Sequence, residues 1–169
     1  MPHFIELTKR IKVPTQKVWD VLKDFDNIEK TSHTVEKSPI LEGISSGVGC
    51  RRKCFFYDGK SVVEEIIEYN EGESFKLVLS EYTMPMKSIE AELKVKKVDE
   101  EVSDISMSMT FVVKGGLFGR VIGSLLLQHI LKRKVLKGEL DGLAFYASTG
   151  KRVEKKLPTK EELALIEVF

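Results

Sequence analysis

From Val48 to Val113 the chain passes through successive stretches of alternating polarity joined only by short turns. Connections that short join antiparallel neighbours, because a parallel pair needs a crossover of a dozen or more residues. The middle of the chain is therefore read as an antiparallel sheet. Its clearest stretch, "SIEAELKVKKV" (88–98), puts Ile89, Ala91, Leu93 and Val95 on one side, and Glu90, Glu92, Lys94 and Lys96 on the other. One face is then wet and one is packed. Pairing Val98 with Val102 across the acidic turn sets Val95 opposite Ile105, Leu93 opposite Met107, Ala91 opposite Met109 and Ile89 opposite Phe111. The two apolar faces coincide, which supports that register. The preceding run, "SFKLVLSE" (74–81), adds Phe75, Leu77 and Leu79 to the inner side.

A second hairpin is centred on Asp58-Gly59, a favoured two-residue turn. Counting outward from Tyr57 opposite Lys60, Cys54 faces Val63, Arg52 faces Glu65 and Cys50 faces Ile67. This is the more apolar side of the ladder and should point inward, carrying one Arg52–Glu65 pair. Such a pair is either a partly solvated ion pair near a sheet edge, or a polar fixture on a cavity wall that holds a ligand carboxylate, phosphate or carbonyl. The inner wall is thus expected to carry Cys50, Arg52, Glu65, Ile67, Leu77, Leu93, Met107, Met109 and Phe111.

Ahead of the sheet, "HFIELTKRIKV" (3–13) reads as a strand that Pro14 ends, and Pro14-Thr15 opens a short helix with Val18, Val21, Leu22 and Phe25 at helical spacing. The polar passage after it reads as one more helical turn and a crossing loop. Behind the sheet, Gly115-Gly116 lead into one long helix, about Leu117 to Ser148. At about 100° per residue, Phe118, Ile122, Leu125, Leu126, Leu136, Leu140, Leu143 and Ala147 share a core-facing stripe. His129 projects near its middle and Arg133 lies on it too. A histidine there is either a satisfied core group or a cavity-wall residue that hydrogen-bonds a ligand oxygen, with Arg133 nearer the mouth. Glycines 119, 123, 138 and 142 weaken the helix unless a close approach or a bend requires them. After Gly150, "KRVEKK" reads as a linker, and Thr159 with Glu162 forms a capping box for a short terminal helix. The division expected is a domain over 1–150 and a tail over 151–169.

With 27 Lys plus Arg against 26 Asp plus Glu, the net charge of +1 supplies no general pull toward nucleic acid or anionic membrane. Cys50 and Cys54 sit too far apart along an extended strand for a disulfide, so free thiols and a cytoplasmic location are expected. No signal core or membrane-spanning run stands out, so no stable membrane insertion is expected. The three histidines are scattered, "STGKR" lacks the spacing of a phosphate loop, and "GGLFGRVIG" lacks a surrounding βαβ unit. No metal and no cofactor are expected.

Strand, two short helices, antiparallel strands and a long C-terminal helix make an α+β order, carried by "VPTQKVWDVLKDFDNIEK" (13–30), "EGISSGVGCRRKCFFYDGKSVVEEIIEYNEGESFKLVL" (42–79) and "GGLFGRVIGSLLLQHILKRKVLKGELDGLAFYAS" (115–148). This pattern resembles the START-like helix-grip superfamily, also called SRPBCC, and within it the polyketide cyclase/dehydrase and lipid-transport group. The resemblance implies a curved sheet wrapped around the last helix, with a deep apolar cavity between them for a small hydrophobic molecule such as a lipid or polyketide. Binding or transport is the leading expectation. The alternative is a polyketide cyclase or dehydratase with His129 or Glu65 as acid or base and Arg52 polarising a carbonyl. A further alternative is an interaction module whose tail meets a protein partner.

Overall fold

The computed structural model describes residues 2–114 and 127–168. Strand β1 (His3–Ile11) is followed by α1 (Thr15–Lys23), a 3₁₀ turn (Phe25–Asn27) and α2 (Ile28–Thr31). Strands β2 (Val35–Lys37), β3 (Arg51–Phe56), β4 (Ser61–Asn70), β5 (Ser74–Ser80), β6 (Met86–Lys97) and β7 (Ser103–Val113) then complete one antiparallel sheet in the order β1-β7-β6-β5-β4-β3-β2. Only β1 leaves sequence order, joining the last strand and leaving the two short helices to span the concave side.

Local chemistry accounts for the ends of α1. Pro14, with φ near −56°, supplies the carbonyl that accepts the amides of Lys17 and Val18. Val18 and Trp19 turn inward, and the indole donates to Glu71 Oε1 at 2.8 Å while its ring packs against Tyr69 and Phe75. Burying an indole requires such a partner for its N–H.

The β6–β7 register is the one expected, with Leu93 opposite Met107 and Ile89 opposite Phe111. The β3–β4 register is not. Its loop has three residues, Tyr57 to Gly59, with Phe56 pairing Lys60 through the Phe56 amide and Gly59 at φ +85°. A three-residue loop with a left-handed glycine is the next commonest hairpin after the two-residue one, and it slides the partner strand by one position. Arg52 therefore lies opposite Glu64, and Arg51 opposite Glu65. A one-residue slip turns every side chain of β4 over. Glu64 now faces inward, whereas Glu65 stands on the convex face about 3.7 Å from Arg51. A bulge between Ile66 and Glu68 restores the phase, returning Tyr69 to the inner side opposite Phe75 and leaving Ile67 exposed.

The C-terminal helix α3 comprises Gln128–Ile130, a π-helical segment Leu131–Leu136 and Lys137–Thr149. Within the π segment the amide of Lys137 reaches back five residues to the carbonyl of Lys132. More residues per turn shift the phase of everything before it. Leu131 and Leu136 are both buried, although strict α spacing puts them on nearly opposite sides. His129 and Arg133, which strict α spacing places on the stripe, are exposed. The glycines at 138 and 142 have a direct reason: a Cβ on Gly142 would lie 1.8 Å from the carbonyl oxygen of Thr31, and one on Gly138 would lie 2.8 Å from the His33 ring. The end of α2 rests directly on α3. Gly119 and Gly123 lie outside the described residues.

The core fills the space between the concave sheet, α1 and α3, with Ile11, Ile105, Phe111 and Leu136 wholly enclosed. The chain beyond Gly150 folds back onto it. Val153 donates its amide to Lys30 O and is buried, α4 (Lys160–Ala164) starts from the Thr159–Glu162 capping box, and the strand-like end bridges Ile11 with Glu167. That bridge covers part of the β1 edge, which would otherwise offer unpaired amides.

Candidate functional site

Between the sheet and α3 lies a cavity of about 840 Å³. Leu77 from β5, Leu93 from β6, Met107 and Met109 from β7, and Leu131 and Leu143 from α3 supply much of its apolar wall. The volume falls within the roughly 300–1,000 Å³ range of small-molecule pockets, and an apolar lining with a few convergent polar groups is their usual composition.

The polar groups converge at the β3–β4 end. Arg52 is 5% exposed and its Cζ lies over the Phe25 ring, 4.0 Å from the ring centre. Its Nε donates to Glu64 Oε2 at 2.6 Å, its Nη2 approaches the same oxygen at 2.5 Å, and its Nη1 donates to the Phe25 carbonyl. Burial works against the guanidinium charge, but the Glu64 carboxylate outweighs it and holds the proton more firmly than usual. The Cys54 thiol points at the same Glu64 oxygen, 3.5 Å away. Burial, reinforced by Glu64, pushes that thiol far above its ordinary range, so it is no thiolate nucleophile.

On the facing helix, Glu139 accepts a hydrogen bond from Ser32 Oγ at 2.8 Å through Oε1, while its Oε2 is buried without a partner. Burial pushes its carboxyl up to about 7; the Ser32 bond and Arg52 oppose this and the charge on Glu64 reinforces it. His33 sits beside it against Gly138, with an unpartnered Nδ1, and burial lowers its pKa. Among the described residues, no three His, Cys, Asp or Glu side chains are placed to hold a metal ion.

Of the residues singled out in the sequence, Arg52, Leu77, Leu93, Met107 and Met109 line the cavity. Phe111 is sealed in the core beside His3. Glu65 is on the convex face, and His129 and Arg133 face solvent, for the register and phase reasons above. Phe118, Ile122 and Leu126 lie outside the described residues. Sequence reasoning missed Glu64, Glu139, Ser32 and His33. Glu139 did carry a signal, since it lies three residues after Leu136 and four before Leu143, on the flank of the apolar stripe.

The family model for polyketide cyclase / dehydrase and lipid transport matches residues 2–147. The chain belongs to that family. The family's shape recurs in solved structures. Ara h 8.0201 superposes with a TM-score of 0.71 at 20% identity, covering 88% of this chain and 99% of its own. XoxI from Bacillus cereus gives 0.65 at 19% identity over 81% and 92%, and an uncharacterized protein from Bacillus thuringiensis 0.65 at 20% over 80% and 95%. At such identities the likeness concerns the fold alone. No curated protein matches the sequence. No helix among the described residues is long and apolar enough to cross a membrane.

Proposed function

We propose that this family member binds a small, largely hydrophobic molecule in the cavity between sheet and α3, as a carrier or receptor. The observation that carries the reading is the cavity itself: about 840 Å³ of mainly apolar space with one compact polar cluster at its end. Filling apolar space with an apolar ligand contributes roughly 25 cal/mol per Å² removed from water. The free, buried Cys50 and Cys54 support a reducing, cytoplasmic setting. The test is a titration with Nile red, a neutral hydrophobic dye, on the parent and on Leu93→Trp, which places an indole in the cavity. Saturable binding that Leu93→Trp weakens at least tenfold, with circular dichroism unchanged, is expected. Equal binding by both proteins contradicts the reading.

A second reading, acid–base catalysis on a polyketide-like substrate, draws support from Glu139, whose carboxyl titrates near neutrality inside the cavity. The role moves to Glu139 from His129 and Glu65, which are outside it. Turnover of a bound polyketide that Glu139→Gln abolishes, with binding retained, would establish it. A protein contact through the tail would draw on the exposed Leu157 and Leu165, because Val153, Leu163 and Ile166 are turned into the fold.

A further inference from the structure

The inner end of the cavity constrains the charge of what enters it. Arg52 looks at first like an anchor for an acidic head, but three of its donor groups are already engaged, two on Glu64 and one on the Phe25 carbonyl, and one face of its guanidinium is covered by the Phe25 ring. Its charge is matched by Glu64. The next ionisable group facing this pair is a second acid, Glu139, from α3, which accepts from the Ser32 hydroxyl; α2 and the turn after it add the uncharged Thr31 and Thr34 and His33, whose ring burial disfavours the cation. The remaining cations on the lining among the described residues, Lys60, Lys134 and Lys155, are exposed, Lys60 paired to Asp58 at 2.6 Å and Lys155 stacked over Tyr57 at 4.7 Å.

A carboxylate brought to this end would therefore meet two acids and one neutralised arginine, and would lose its hydration with no buried cation to replace it, Lys134 being exposed to solvent. An uncharged hydroxyl fares differently. Nε and Nη2 of Arg52 and the Cys54 thiol all converge on Glu64 Oε2, so Oε1 of the same carboxylate keeps its acceptor capacity on the cavity wall. We infer that the cavity selects ligands whose buried end is an uncharged hydroxyl donating to Glu64, and discriminates against chains of the same length that end in a carboxylate. This rests on the cavity being a binding site, as proposed above.

The experiment is displacement of Nile red at pH 8 by 1-decanol, methyl decanoate and decanoic acid, which share chain length and differ in the end group. The expected result is that decanol displaces the dye at least tenfold more tightly than the acid or the ester. Decanoic acid or methyl decanoate binding as well as decanol overturns the inference while leaving the cavity a binding site. Failure of the protein to bind Nile red overturns both. Glu64→Gln removes the compensating charge beside Arg52, so its affinity for decanoic acid should rise at least tenfold and the preference for the alcohol should collapse. Should that variant fail to fold, Glu139→Gln provides the second measurement: with one negative charge gone, the ratio of alcohol to acid affinity should narrow. A ratio unchanged in a folded variant of either kind counts against the inference.

Discussion

At the scale of single residues, Glu139 is the most informative group in the structure. Its Oε2 is buried without a partner, and the carboxyl titrates at about 7 against 4.5 for an unburied one. A carboxyl whose folded value is raised favours the folded state in its protonated form. The contribution is fully present below about 4.5, declines as pH rises from there, and is lost above about 7. Over that window the loss is on the order of 3 kcal/mol, at about 1.4 kcal/mol per pKa unit. Glu139→Gln keeps an acceptor for Ser32 and removes the charge. Urea denaturation should show the variant more stable than the parent at pH 8 and within about 1 kcal/mol of it at pH 4.5. A parent whose stability is flat between pH 4.5 and 8 would mean that the carboxyl is better solvated than its packing implies. The residue was hard to find in the sequence because it stands on the flank of an apolar stripe, where acids are usually wet.

Elements differ in how openly the sequence declares them. Strands β6 and β7 were legible to the residue because strict alternation on both leaves only one register in which the apolar faces meet. The β3–β4 hairpin was ambiguous for a chemical reason. Arg51-Arg52 opposite Glu64-Glu65 pairs opposite charges in either of two registers, so charge could not choose between them. Only the turn decides, and Asp58-Gly59 suits a two-residue loop and the tail of a three-residue loop alike. Helix α3 was misread from the π segment backward, because five-residue hydrogen bonds leave no mark in an apolar pattern read at 100° per residue. Of its glycines, Gly142 answers to the Thr31 carbonyl at the end of α2 and Gly138 to the His33 ring beyond it, contacts between distant segments that leave no mark in the sequence. Gly142→Ala should therefore cost more than a helix-favouring change would suggest. Since a Cβ there would collide with the Thr31 carbonyl, the helices must part, and destabilisation of at least about 1–3 kcal/mol is expected by chemical denaturation. An increase in stability, as helix propensity alone would give, would contradict the close approach.

For the whole molecule, the family resemblance in the sequence carried the architecture further than the side-chain detail. A curved sheet and a final helix must diverge somewhere to leave a cavity, and here they do so at β3–β5, where Arg52, Glu64 and Glu139 gather. The tail contributes to closing the fold at the opposite edge, against β1. Removing residues 152–169 would delete the buried packing of Val153, Leu163 and Ile166, each at most 6% exposed as residues, and would free the end of the β1 edge. At about 1.5–3 kcal/mol per buried aliphatic side chain, and about 2–4 °C per kcal/mol for a chain of this size, the melting midpoint should fall by at least about 10 °C. An unchanged midpoint would show that the tail lies on the surface without holding it.

The central claim, that the interior binds a neutral hydrophobic molecule, can be watched from inside the cavity. Four of the five methionines, Met84, Met86, Met107 and Met109, line it. In protein labelled with ¹³C at the methionine methyls, titration with 1-decanol should shift the signals of Met86, Met107 and Met109 and saturate at one equivalent. Signals that stay in place, or shifts confined to the exposed Met84, would contradict it.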